Sequence, residues 1–182
     1  MGEVAGSLRR VITGQNDHGR SVVLLDGPPA EILELGLGAA LSEIWTVEAG
    51  AMDRRSPHDQ GRGPVRLGPP ADGVKIRWFT LAPAVPQSAG DAEKWFSDAF
   101  ASMHGADHRP DTTRHPGMHL TPTVDVIVLV RGSVRLILDD DECLLGPGDV
   151  VVQRGTNHAW VCEGAEPALL VAVLVDRGFA DS

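Results

Sequence analysis

His115-Pro-Gly-Met-His119-Leu-Thr121-Pro-Thr-Val-Asp125, a β-branched run ending at Gly132, and then Gly148-Asp149-Val-Val-Val-Gln153-Arg-Gly155-Thr-Asn-His158 form the stretch whose reading decides the fold. Alternate residues of a strand point to the same face, so the histidines, the carboxylate and the polar side chains of this stretch are set to gather on one side of a sheet. Around it the sequence predicts short strands at Val124 to Val130, Val134 to Leu138, Val150 to Gln153, His158 to Cys162 and Leu169 to Val175. Between them stand Arg131-Gly132, Asp139 to Glu142, Gly146-Pro-Gly-Asp149 and Glu163 to Pro167. Many short strands joined by Gly, Pro and Asp turns predict an antiparallel sandwich or barrel. The three consecutive aspartates are read as a solvated hairpin tip.

In these residues the chain resembles the cupin superfamily of small jelly-roll barrels. That family's first motif has two histidines one residue apart, a carboxylate four residues on and a glycine seven beyond it. His119, Thr121, Asp125 and Gly132 fall on those positions. The second motif, a Gly-Asp turn, a strand, then proline, glycine and histidine, is met by Gly148-Asp149, Gln153, Gly155 and His158 with a strand one residue shorter. The resemblance implies an all-β fold: a double-stranded β-helix barrel over residues 111–182, with a β-rich extension at 1–110 that extends the sheets and packs a homodimer, the whole being one structural domain.

The departures from the family pattern bear on function. Metal-binding members supply three histidines and a carboxylate; here Thr121 replaces the middle histidine, and a hydroxyl is a poor ligand for a divalent transition metal. Gln153 stands where the family has proline. His119, Asp125 and His158 survive. They imply two alternatives: a two-histidine, one-carboxylate site for one divalent metal (Fe, Zn, Mn or Ni), or a metal-free pocket. In the second, His119 and His158 act as acid and base, Asp125 orients an imidazole, and Thr121 and Gln153 hydrogen-bond the ligand. Trp160, two residues after His158, shares its face and is placed to stack on an unsaturated ligand.

The leading expectation is therefore a small-molecule enzyme working inside the barrel on an unsaturated or carbonyl-bearing metabolite. Isomerisation, cyclisation, dehydration and elimination all fit. An Fe(II) dioxygenase using the same three residues, and a protein that binds a metabolite without turning it over, are the alternatives.

The N-terminal part is interrupted by Gly/Pro clusters at 27–29, 61–64, 67–73 and 82–86. Strands are predicted at Arg9 to Thr13, Ser21 to Leu25, Ser42 to Glu48 and Val74 to Leu81. Asp91 to Met103 carries Trp95, Phe96, Ala99, Phe100 and Met103 on one helical stripe, with Ser88 or Asp91 as N-cap; the stripe is read as core packing. Gly36-Leu-Gly38 lacks the third glycine and the βαβ setting of a dinucleotide site and is not read as one. His104 and His108 are read as loop residues, His18 and His58 as solvated, and His115 as a candidate for the barrel mouth.

Composition narrows the classes. The 182 residues include 21 Gly and 13 Pro, above the combined average of about 12%, which favours turns and strands over a helix bundle. There is no Tyr, so no phenol takes part in any mechanism. A net charge of -9 without a clustered basic face argues against a nucleic-acid groove. Two cysteines make no disulfide framework. Met1 to Arg10 lacks the apolar core of a signal peptide, and the longest apolar run, Ala168 to Val175, is too short to span a bilayer, so a soluble, cytoplasmic protein without membrane partners is expected.

Overall fold

The computed structural model describes residues 8–83 and 88–179. The reading of Met1 to Ser7, and residues 84–86 of the predicted 82–86 loop, lie outside them. Eleven strands and one α-helix follow in chain order among the described residues: β1 (Arg10–Gln15), β2 (Ser21–Gly27), β3 (Ile32–Gly36), β4 (Ala39–Val47), β5 (Val74–Leu81), α1 (Ala89–Ser102), β6 (Thr123–Arg131), β7 (Val134–Leu138), β8 (Glu142–Leu145), β9 (Val150–Arg154), β10 (His158–Cys162) and β11 (Ala168–Asp176). A 3₁₀ turn, Ala106–His108, follows α1.

The strands form two facing sheets, β3-β4-β5-β11-β6-β9 and β10-β7-β8, with β1-β2 as a separate hairpin. All ladder pairs are antiparallel. The larger sheet runs unbroken across residue 110, since β5 pairs with β11 over eight residues. The fold is all-β with a β-rich N-terminal part and one helix.

Cross-strand register arranges the inner face of the large sheet in three rows. Leu41, Phe79, Leu170 and Leu129 make an apolar row. Glu43, Arg77, Ala172, Ile127 and Val151 make the middle one, and Lys75, Leu174, Asp125 and Gln153 the last. Charge therefore collects at one end of the barrel interior. Many outward side chains of the same strands are apolar: Val74, Ile76 and Trp78 on β5, Val171 and Val173 on β11, Val126, Val128 and Val130 on β6, and Val150 and Val152 on β9, which ends in the outward Arg154.

Three elements differ from expectation. Gly36-Leu37-Gly38 is the tip of the β3-β4 hairpin, its three residues all at positive φ, so the apolar alternation on both sides of it is strand. Glu142 is not part of the turn but opens β8, a short edge strand that is exposed until its last residue. The helix starts at Ala89, capped by the Ser88 hydroxyl, which accepts from Asp91 N–H at 3.2 Å. Gly132 is required twice over: its φ is +91, and a Cβ there would stand 2.8 Å from Ala168 Cα.

Candidate active site

His119 and His158 face each other across an isolated antiparallel bridge, with imidazole centroids 4.3 Å apart. Each ring is fixed by its own loop. His119 Nδ1–H donates to the Gly117 carbonyl at 3.0 Å, and His158 Nδ1–H to the Thr156 carbonyl at 2.8 Å. With Nδ1 carrying the proton, Nε2 of each ring is left as a free lone pair. Gly117 can hold this loop against α1 because it lacks a side chain; a Cβ would lie 2.7 Å from the Phe96 ring.

Both rings are kept neutral. Burial, reinforced by the neighbouring His158, lowers the His119 pKa from 6.5 to about 3, and burial lowers that of His158 to about 4. The area His119 leaves uncovered faces the cavity it lines.

Asp125 behaves in the opposite sense. Burial raises its carboxyl from 3.8 to about 6, against the Thr123 hydroxyl and the Arg77 charge, which pull it down. Its Oδ1 has no hydrogen-bond partner. Thr121 and Thr123 hydroxyls bond each other at 2.7 Å, so Thr121, Thr123 and Asp125 form a polar line along the inner face.

These groups border a cavity of about 140 Å³, close to the size of an engineered apolar cavity of about 150 Å³ that takes benzene. His119, His158, Asp125, Trp160 and Arg77 line it, and the rest of the wall is almost wholly apolar. The stripe of α1 is core packing as read, with Phe100 and Met103 clustered on Leu41 and Leu67 and Phe96 packed against them, and Trp95, Phe96, Ala99, Phe100 and Met103 also form one wall of the cavity. Trp160 stands edge-on to His158 at 5.5 Å. A neighbouring cavity shares Trp95, Phe96 and Trp160 and adds His115. His108 lines neither cavity; its Nδ1 lies against the Leu120 carbonyl.

Two residues expected to contact a ligand stand back from this cavity. Thr121 and Gln153 are buried but do not line the cavity. Thr121 is engaged with Thr123, and Gln153 Oε1 accepts from the Thr156 hydroxyl at 2.8 Å. His119, Asp125 and His158 share the cavity, but among the described residues no group of three or more His, Cys, Asp or Glu side chains could hold a metal ion. The two free Nε2 atoms suit a metal; the carboxylate does not join them.

Sequence reasoning missed a second polar group. Arg77 Nη2 lies 2.8 Å from Glu43 Oε1, and each side chain is 3% exposed. The pair is in ionic contact without hydrogen-bond geometry, since neither Glu43 oxygen has a hydrogen-bond partner. Burial raises the Glu43 pKa and lowers that of Arg77. Lys75, next in the strand face, falls to about 8, chiefly from burial. Its signal was visible: two cations two residues apart in a predicted strand, with a glutamate in the strand before it.

A β-barrel enclosing an apolar cavity with polar groups gathered at one end is thus the class of protein defined by fold and site. Residues 109–174, the barrel part of the chain, match the Cupin_2 family model, described as a cupin domain. Over 44 residues it is 50% identical to phomopsin biosynthesis cluster protein C' of Diaporthe leptostromiformis, covering 24% of this chain and 23% of that one. Over 63 residues it is 40% identical to the cupin-domain-containing oxidoreductase srdD of Neurospora crassa, covering 32% of each. The chain thus spans about a third or less of the length of these curated relatives. Among solved structures, a Cupin 2 conserved barrel domain protein from Salinispora arenicola is 16% identical with a TM-score of 0.43, covering 79% of this chain and 81% of that one. No helix among the described residues is long and apolar enough to cross a membrane.

Proposed function

We propose that this protein is a small-molecule enzyme that moves protons on an unsaturated or carbonyl-bearing substrate inside the barrel, by isomerisation, cyclisation, dehydration or elimination. One observation carries the reading: both imidazoles give their Nδ1 protons to backbone carbonyls, which leaves two neutral Nε2 bases at the wall of an apolar cavity. A base in such a cavity is not masked by water, and its proton affinity is set by enclosure. One imidazole takes a proton from carbon beside the carbonyl at its Nε2, and the imidazolium so formed, or Asp125 in its acid form, returns one to the new position. Trp160 supplies an aromatic wall for the unsaturated part. The unit is a homodimer of cytoplasmic location, its contact being the apolar outward face of β5, β11, β6 and β9 laid against the same face of a second copy.

The test is solvent deuterium wash-in. A panel of small cyclic ketones and enones is incubated in D₂O with the protein and read by mass spectrometry. Incorporation beside the carbonyl that disappears in His158→Ala supports the reading, whereas incorporation no faster than with heat-inactivated protein ends it. A ligand bound tightly and recovered with no deuterium would instead identify a binding protein.

A metal-dependent oxidation is favoured by one feature only, the pair of free Nε2 atoms, and two fungal relatives are named as oxidoreductases. Elemental analysis after exposure to Fe(II) or Zn(II) decides it: less than about a tenth of an equivalent bound leaves this reading without a cofactor.

A further inference from the structure

The charged row of the barrel interior is larger than proton transfer by two histidines and a carboxylate needs. Arg77 lines the cavity although it is only 3% exposed. One side of its guanidinium is taken by Glu43, and Nη2 also donates to the Arg66 carbonyl. Nε–H has no partner among the described residues. Across β11 from β5, Asp125 Oδ1 is also without one, and both residues border the same cavity. An N–H donor on a buried cation, left unmade in a residue that lines a cavity, is costly unless something accepts from it.

We propose that Arg77 is the specificity-determining residue of this pocket and that it takes an anionic oxygen, a carboxylate or an enolate, of an otherwise apolar ligand about the size of one six-membered ring. The inference rests on the proposed function in that it names the substrate class of the same site.

The charges allow it. Two cations, Arg77 and Lys75, face two acids, Glu43 and Asp125. Burial raises the Asp125 carboxyl to about 6, so this end of the barrel accepts one further negative oxygen by taking up a proton on that carboxyl. The remaining wall, with Phe79, Phe100, Ile127 and Leu174, offers the body of the ligand only apolar contact. A neutral ligand of the same shape fills that space but leaves the Nε donor unanswered.

Calorimetry on the whole chain near neutral pH tests this with benzoate and, as the neutral counterpart, benzyl alcohol. Benzoate is expected to bind at least about tenfold tighter, the usual scale of a charge-assisted hydrogen bond. Arg77→Met alone strands Glu43, so the decisive variant is Glu43→Gln with Arg77→Met, which removes both charges at similar volume. In it the preference should fall to within about twofold while benzyl alcohol binds as before. A purely structural role for Arg77 would weaken both probes alike. The proposal is overturned if the alcohol equals benzoate in the unaltered protein, if the double variant keeps the preference, or if neither probe binds at about 10 mM. His158→Ala separates the two readings: it should abolish deuterium wash-in yet keep the benzoate preference.

Discussion

His119 and His158 exchange backbone hydrogen bonds in both directions, each N–H donating to the other's carbonyl at 2.9 Å. This bridge fixes the spacing of the two rings through the main chain rather than through side-chain packing. Replacing either ring therefore leaves the barrel seam in place. His119→Ala or His158→Ala should lower deuterium wash-in by about 10² to 10⁴, the range for a positioned acid or base, with thermal melts that stay cooperative.

Asp125 gives a pH signature of known sign. Its folded pKa, about 6, is above its ordinary 3.8, so it contributes stability that is fully present below 3.8 and lost as pH rises through 6. His119 and His158 are depressed below 6.5 and work oppositely: their contribution is present above 6.5 and lost as pH falls toward 4 and 3. Asp125→Asn removes only the first effect. Urea titrations at several pH values between 6 and 4 should show the unaltered protein gaining on the variant by roughly 1.4 kcal/mol per pH unit as pH falls. A constant difference would mean that Asp125 is not held in its acid form.

Breaking the Glu43 and Arg77 pair from one side leaves a buried charge. Arg77→Met should cost about 3 to 5 kcal/mol, and the paired Glu43→Gln change should recover much of that. Denaturant midpoints of the two variants check it; equal losses would show that the charges are not coupled.

Phe100 is 4% exposed and seals the cavity from the helix side. Phe100→Ala should cost about 3 to 5 kcal/mol, enlarge the cavity, and shift binding toward ligands bulkier than benzyl alcohol. Calorimetry across a series of ring sizes reads the shift.

Val128 and Val171 are paired at the centre of the apolar outward face. Val128→Lys with Val171→Lys should convert a dimer to a monomer in light scattering without altering the melt of the barrel by more than about 1 kcal/mol. A monomeric unaltered protein would remove the dimer from the reading.

Much of the barrel was legible because β6, β7, β9, β10 and β11 carry β-branched runs bounded by turn residues. The two histidines and Asp125 were legible from their spacing. Glu43, Lys75 and Arg77 left a signal in the spacing of the two cations but were overlooked, because polarity is a guide to exposure only when the interior is apolar; on β5 it assigns Val74, Ile76 and Trp78 to the inside, where the structure has the cations. The stripe of α1 revealed that a face is buried, but periodicity does not distinguish a core from a cavity. The β3-β4 hairpin was hidden by its Gly-Leu-Gly tip, and β8 by being four residues long and almost wholly exposed.

The inverted alternation of β5 has a consequence for how the chain finds its fold. A slip of one residue would turn every side chain of that strand over, sending Lys75 and Arg77 to solvent and Val74, Ile76 and Trp78 inward. Apolar collapse alone would reward that mispairing. The correct pairing is selected by charge, through Glu43 beside Arg77, and by the bulge between Glu43 and Trp45 that re-phases the neighbouring strand. The buried ions and the bulge thus weigh the native register against the one-residue slip that apolar burial alone would favour.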